Sequence, residues 1–363
     1  MLTTTLLLLA PLAAQDKIDF PKIDWHVKGA FGAPTVTDDA VYSGGFGLFR
    51  IDPKSGEILS SRETVEMAEK VPLVFTGSPS VDDKRVIATR MDGGVSAFDL
   101  DLEKEQWSWE AKGRGYPFPG AVVGDTYYFG HGSKVYALDT KSGEENWSRG
   151  VSGNVTMTPA VADGFVYFGT SNGVFQALSA QTGEPEWTTE EGVGEFGWTN
   201  PAAADGVVYC ADRGIKGERR GALHAFDGGS GEIQWSSTFG ATGFSRPFIG
   251  KKEIFAGFGK YVARFDRKTG EVDKSTMIRT SPNAFGSPTA FGKRVYFGNL
   301  DGHLYAHRLK GGKLDWSFAV PDAQVSDFVH TGKHIYVSST KGLFCLGAGK
   351  KGKGGSALVW QGE

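Results

Sequence analysis

The stretch Met157 to Trp187, MTPAVADGFVYFGTSNGVFQALSAQTGEPEW, carries the pattern on which the fold depends. Thr158-Pro159-Ala160-Val161 leads to a turn at Asp163-Gly164, and Val166-Tyr167-Phe168-Gly169 leads to a second at Asn172-Gly173. Val174 to Leu178 makes a third run, Gln181-Thr182-Gly183 a third turn, and the segment closes on Trp187. Short β-prone runs between Gly, Asp and Asn turns describe consecutive antiparallel hairpins. One such unit cannot bury both its faces and needs copies on either side.

The copies follow one another along the chain. The Pro that opens the unit recurs as Pro34, Pro79, Pro119, Pro159, Pro201, Pro247 and Pro288, with Asp327 at the eighth place, at spacings of 39 to 46 residues. A second series pairs an Ala with a Trp ten residues on: Ala97–Trp107, Ala137–Trp147, Ala177–Trp187, Ala225–Trp235 and Ala306–Trp316. This is the length of a four-stranded propeller blade. The chain reads as an all-β, eight-bladed β-propeller of four-stranded antiparallel blades. They start near residues 31, 76, 116, 156, 198, 244, 285 and 325, in one domain spanning 15–363.

Bulk properties agree with a globular protein of this class. Of 363 residues 40% are hydrophobic, and the net charge of −3 offers no basic footprint for nucleic acid. No run reaches the apolar length of a membrane span. Residues 1–14, with Leu6–Leu9 ahead of Ala13-Ala14, read as a secretory signal, so an exported, periplasmic or extracellular protein is expected. No Cys stands at the presumed cleavage point to accept a lipid. Cys210 and Cys345 fall three blades apart, too far for a disulfide, and read as buried thiols.

Within each unit the first strand is small and Pro-containing, which suits the crowded inner edge of a blade. The third turn, Asp139-Thr140-Lys141-Ser142-Gly143, has relatives at Asp52, Asp227 and Asp266. There the carboxylate can accept backbone N–H bonds and Gly can take the left-handed conformation. These aspartates are structural rather than catalytic. Units 1 and 6 lack the closing Trp, having Ser60 and Lys274. Between units 1 and 2, Ser61 to Val74 reads as a link with a helical turn or two. A strand near residues 23–27, carrying Trp25, competes with the Trp360 segment to close the ring and remove its free edges.

Strand alternation gathers the a–b and c–d turns on one face and the b–c turns and blade-to-blade links on the other. The second face carries the variable loops, including the insertion Asp212 to Gly221 with Arg213, Arg219 and Arg220. Just ahead of the first strands stand Phe31, Phe75, Tyr116, Trp198, Phe244 and Phe285. They are either inter-blade packing or an aromatic funnel, with Asn200, Arg246 and Asp327 supplying hydrogen bonds to a guest. The histidines His26, His131, His224, His303, His307, His330 and His334 show no ligand spacing. No nucleophile elbow, phosphate loop or CxxC motif occurs. No catalytic residue and no metal site is expected.

The repeat Ala-x-Asp-x-x-(Ser/Thr)-Gly-x-x-x-Trp, whole at Ala137–Trp147 and Ala225–Trp235, resembles that of the quinoprotein (PQQ-like) propellers. The resemblance implies that Trp107, Trp147, Trp187, Trp235, Trp316 and Trp360 dock neighbouring blades. The quinone dehydrogenases of that family bind pyrroloquinoline quinone and calcium beside an adjacent Cys pair, which this chain does not have. No cofactor is therefore expected; the alternative is a quinone- or small-molecule-binding oxidoreductase. In length, repeat count and want of catalytic residues the chain is similar to BamB-like propellers of outer-membrane protein assembly. That resemblance implies a monomeric scaffold that binds a protein partner of the cell envelope.

Overall fold

The computed structural model describes residues 20–29, 31–63, 74–111, 118–189, 194, 196, 199–214, 220–241, 245–280, 286–350 and 355–362. Their strands form eight sheets, and no helix occurs among them. In the first seven blades the strands a, b, c and d follow chain order, each antiparallel to the last. Blade 4, for example, consists of Ala160–Ala162, Phe165–Gly169, Phe175–Ser179 and Pro185–Thr188. Its b and c strands are almost wholly buried, as continuous apolar runs covered on both faces must be.

Inner strands of successive blades touch one another, and their small polar residues make the links. Thr35 and Ser78 share a hydroxyl hydrogen bond of 2.9 Å, and Ser80 Oγ donates to Gly120 O at 2.9 Å. The expectation that Pro lies within strand a is corrected in part. In blade 2 Pro79 lies inside Phe75–Val81, at a register irregularity between Thr76 and Ser80. In blades 1 and 3 to 7 the Pro stands just before the ladder, where its missing N–H removes no bond. The link after blade 1 is also shorter than expected. Ser61, Arg62 and Glu63 complete the outer strand Ile58–Glu63, and residues 64–73 lie outside the described region.

Ring closure, open at the level of sequence, is decided by register. The N-terminal strand Pro21–Lys28 pairs antiparallel with Gly342–Ala348 and supplies the outer strand of blade 8, completing Val325–His330 and Ile335–Ser339. The C-terminal strand Ser356–Val359 instead runs parallel to Leu314–Ala319 as a fifth strand on the outer edge of blade 7. Trp360 follows it and reaches blade 8, packing against His26 at 5.0 Å and Phe344 at 5.4 Å between ring centroids.

At five junctions a Trp joins one blade to the next by a shared device. Trp107 Nε1 donates to Thr140 O at 2.8 Å, Trp147 to Ala180 O at 3.0 Å and Trp187 to Gly228 O at 2.8 Å. Trp235 donates to Arg267 O at 3.2 Å, and Trp25 to Pro53 O at 3.1 Å. Each acceptor is the residue after the first position of the next blade's c–d turn. In three junctions a Tyr hydroxyl of strand b joins it: Tyr128 on Ala180, Tyr167 on Gly228 and Tyr336 on Pro53. The turn Gly then lies against the indole. A Cβ at Gly56, Gly143, Gly183 or Gly231 would stand 2.5 to 2.7 Å from the ring of Trp25, Trp107, Trp147 or Trp187, and φ there is 70° to 77°. Gly is required at these turns by both conformation and the neighbouring blade.

The junction from blade 1 to blade 2 shows what replaces a missing Trp. Ser60 occupies the Trp place, opposite Arg50. Tyr42 still donates to Leu100 O at 2.9 Å. Leu102, one position ahead of the usual Gly, takes φ 58° and is 1% exposed in a cluster with Tyr42, Phe75 and Phe98. The guanidinium of Arg62 lies 5.7 Å from the Phe98 ring. A side chain from blade 2 thus contributes the apolar bulk that blade 1 lacks.

Candidate functional site

The two ends of the ring differ in uniformity: the a–b and c–d turns repeat one device, and the b–c turns and blade-to-blade links vary from blade to blade. At the end formed by a–b and c–d turns, aspartates close the turns and turn carbonyls accept the docking Trp and Tyr. Asp52 Oδ1 accepts from Lys54 N at 2.8 Å and Ser55 N at 2.6 Å; Asp266 Oδ1 accepts from Lys268 N and Thr269 N at 2.9 Å each. The N–H groups of Ser55 and Lys54 hold the Asp52 carboxyl below the usual carboxylate range, and those of Thr269 and Lys268 do so for Asp266. These polar groups are occupied within the fold.

At the opposite end, several expected site residues lie outside the described residues: Tyr116, Trp198, Arg219, Phe244 and Phe285. Phe31 and Phe75 are core residues, 7% and 4% exposed. Phe31 packs edge-on to Phe49 at 5.2 Å, and Phe75 to Phe98 at 6.1 Å. Asn200 Oδ1 accepts from Thr158 N at 3.0 Å, tying the entrance of blade 5 to that of blade 4. Arg213 is half-buried and has a partner, while Arg220 is exposed.

Arg246 and Asp327 both stand at inner strands of the ring. Arg246 precedes strand a of blade 6, and Asp327 lies within strand a of blade 8 at a register irregularity after Val325. Blade 7 stands between the two blades that carry them. Both are partly exposed. Burial pushes the Asp327 carboxyl up to about 6, opposed by the Phe328 N–H and by the charge of Arg246. Burial in turn lowers Arg246, and Asp327 opposes that. A partly exposed carboxyl and a partly exposed guanidinium on the inner strands would offer an acceptor and a donor to a polar guest.

One polar chain escaped the reading of the sequence. His224 Nε2 lies 2.8 Å from Asp212 Oδ2, and His224 Nδ1 lies 2.8 Å from the Ser236 hydroxyl. Asp212 Oδ1 also accepts from Gly214 N at 2.8 Å and Ala222 N at 2.7 Å, closing the base of the blade 5 insertion. The three residue types are those of a hydrolytic triad. However, His224 and Asp212 are 4% and 2% exposed, and Phe196 covers the imidazole at 5.3 Å. The arrangement braces the insertion. Its signal was available, since His224 and Ser236 are direct cross-strand partners, but it appears only once the register is assigned.

The family model described as outer membrane protein assembly factor BamB matches residues 92–216 and 192–354. The chain belongs to this PQQ-like, BamB-type propeller family. No curated protein sequence matches it. Among solved structures it is similar to BamB from Moraxella catarrhalis, at 17% identity, covering 90% of this chain and 99% of that one, with a TM-score of 0.73. It is similar to a europium-containing methanol dehydrogenase at 14% identity, covering 90% and 86% of the chains, with a TM-score of 0.71. The computationally designed Ika8 protein, at 14% identity, covers 90% and 98% with a TM-score of 0.75. At these identities the structures speak for the fold, which an assembly factor, a dehydrogenase and a designed protein share.

Proposed function

We propose that this BamB-type propeller is an exported, non-catalytic scaffold of cell-envelope protein assembly. It holds a segment of a protein partner on the face of b–c turns and blade-to-blade links. The observation that carries this reading is the contrast between the two ends of the ring. One end repeats the same Asp turn and blade-docking carbonyl from blade to blade; the other carries the varied loops and, at its inner rim, the partly exposed Arg246 and Asp327. An extended segment laid across that rim would meet backbone-compatible donors and acceptors, and a blade edge could extend its pairing by strand addition. The family match supports the assembly role.

The test uses immobilised purified chain and a detergent-solubilised outer-membrane fraction of the native cell. Replacing Arg246 and Trp198 together by Ala is expected to abolish capture of the partner while stability changes by no more than about 2 kcal/mol. Undiminished capture would move the binding surface elsewhere. Unfolding without selective loss of binding would make these residues packing elements.

A further inference from the structure

Closure of the ring brings three metal-ligand side chains from separate parts of the sequence to one place. Asp24 lies on the N-terminal closing strand, His334 just before strand b of blade 8, and Cys345 on strand c. One ligand atom from each lies within 4.8 Å of the other two. We propose that Asp24, His334 and Cys345 bind one divalent transition-metal ion of the zinc type, fastening the closing strand to blade 8.

The local geometry favours this. Ile23 pairs with Leu346 and Trp25 with Cys345, so Asp24 is the extra residue of a β-bulge. Bulges re-aim side chains. Asp24 as a whole is exposed, yet its side chain keeps only 21% exposure. Its Oδ2 lies over Gly347, where any Cβ would overlap it, and 3.6 Å from His334 Nε2. Its other oxygen, Oδ1, pairs with Lys22 at 2.9 Å. That lysine is 64% exposed, so the pair contributes little and does not compete strongly with an ion. Tyr336, opposite Cys345 in the sheet, packs in the same buried cluster as the thiol.

One thiolate, one imidazole and one carboxylate make a donor set that suits zinc or cobalt better than calcium or magnesium. In a tetrahedral zinc site such ligand atoms stand about 3.3–3.6 Å apart, so contraction by roughly 1 Å completes the site. The partly exposed His334 and Asp24 leave the fourth position to water. On binding, the Cys345 thiol gives its proton to solvent and its sulfur lone pair to the metal.

Cobalt(II) titrated into the reduced full-length chain tests the site, because thiolate ligation gives an intense near-ultraviolet charge-transfer band. One equivalent is expected to produce that band, and zinc is expected to bleach it. Cys345→Ser should remove the band. His334→Gln, on a half-exposed ring whose loss does not endanger folding, should weaken cobalt affinity about tenfold or more, as should Asp24→Asn. Zinc should raise the urea midpoint of the wild type and leave that of His334→Gln unchanged. Absence of the band in the folded wild type, its survival in Cys345→Ser, or equal affinity in His334→Gln would overturn the proposal.

Discussion

The indole of Trp25 covers Gly56 so closely that a Cβ there would stand 2.7 Å from the ring, and its Nε1–H reaches Pro53 O. The first described strand thereby joins blade 8 to blade 1 by the contact that Trp107, Trp147, Trp187 and Trp235 make elsewhere. Trp25 is the docking residue of the last blade, although it precedes the first in sequence.

Replacing Trp25 by Ala removes a buried ring, a hydrogen bond and the clasp of the closure, and is expected to destabilise by about 3–5 kcal/mol. Trp360, partly exposed at the rim of blades 7 and 8, should cost about 1–2 kcal/mol on the same change. Urea unfolding of the two variants checks the order. Equal losses would mean that the C-terminal strand closes the ring as much as the N-terminal one.

Two glycines of blade 4 separate conformational strain from contact. Gly164 has φ 86° with nothing near a built Cβ, whereas Gly183 has φ 70° and faces the ring of Trp147 at 2.6 Å. Gly164→Ala should cost about 1–2 kcal/mol from the left-handed backbone alone. Gly183→Ala adds overpacking and should cost about 3–4 kcal/mol, with altered fluorescence of Trp147.

The Asp327 carboxyl, raised to about 6 against 3.8, sets a pH dependence of known sign. The folded state binds the proton more tightly than the unfolded one. The associated stability is fully present below pH 3.8 and is lost as pH rises through 6. The change amounts to at most about 3 kcal/mol. Asp327→Asn should abolish this component of the slope, as measured by urea midpoints from pH 4 to 7. An unchanged slope would place the titrating group elsewhere.

Asp212→Ala should destabilise by about 3 kcal/mol, because it strands the N–H groups of Gly214 and Ala222 and one His224 nitrogen. A serine-directed fluorophosphonate is expected to leave Ser236 unlabelled, as a bracing role requires. Labelling that depends on His224 would instead establish a nucleophile.

Pyrroloquinoline quinone with calcium is expected to leave the melting temperature unchanged at saturating concentration. A ligand that binds the native state must raise it. Any calcium-dependent rise would favour the oxidoreductase alternative over the scaffold.

The fold was legible because its docking residues repeat. A Trp that must reach the next blade's turn carbonyl, and a Gly that must lie beneath it, can vary little in spacing. Blade 1 was harder to read because Ser60 and Leu102 exchange bulk across a blade boundary, which no single repeat reveals. The candidate site was legible only in part. Arg246 was visible beside the mark Pro247 and Asp327 as the eighth mark itself, but their partial burial at the inner strands depends on the ring. Asp24, His334 and Cys345 were invisible as a set, since a β-bulge and the closure of the chain ends bring them together. Tertiary register carries that information, and local spacing does not.

The pairing of Pro21–Lys28 with Gly342–Ala348 has a kinetic consequence. Residues 21–28 leave the ribosome long before the strand at 342–348 with which they pair. Until then the nascent arc has an unpaired edge at each end, and loop closure over nearly the whole chain remains to be made. Final locking of the circle should therefore be the slow step of folding, and the interval before it the time of greatest exposure to aggregation or proteolysis.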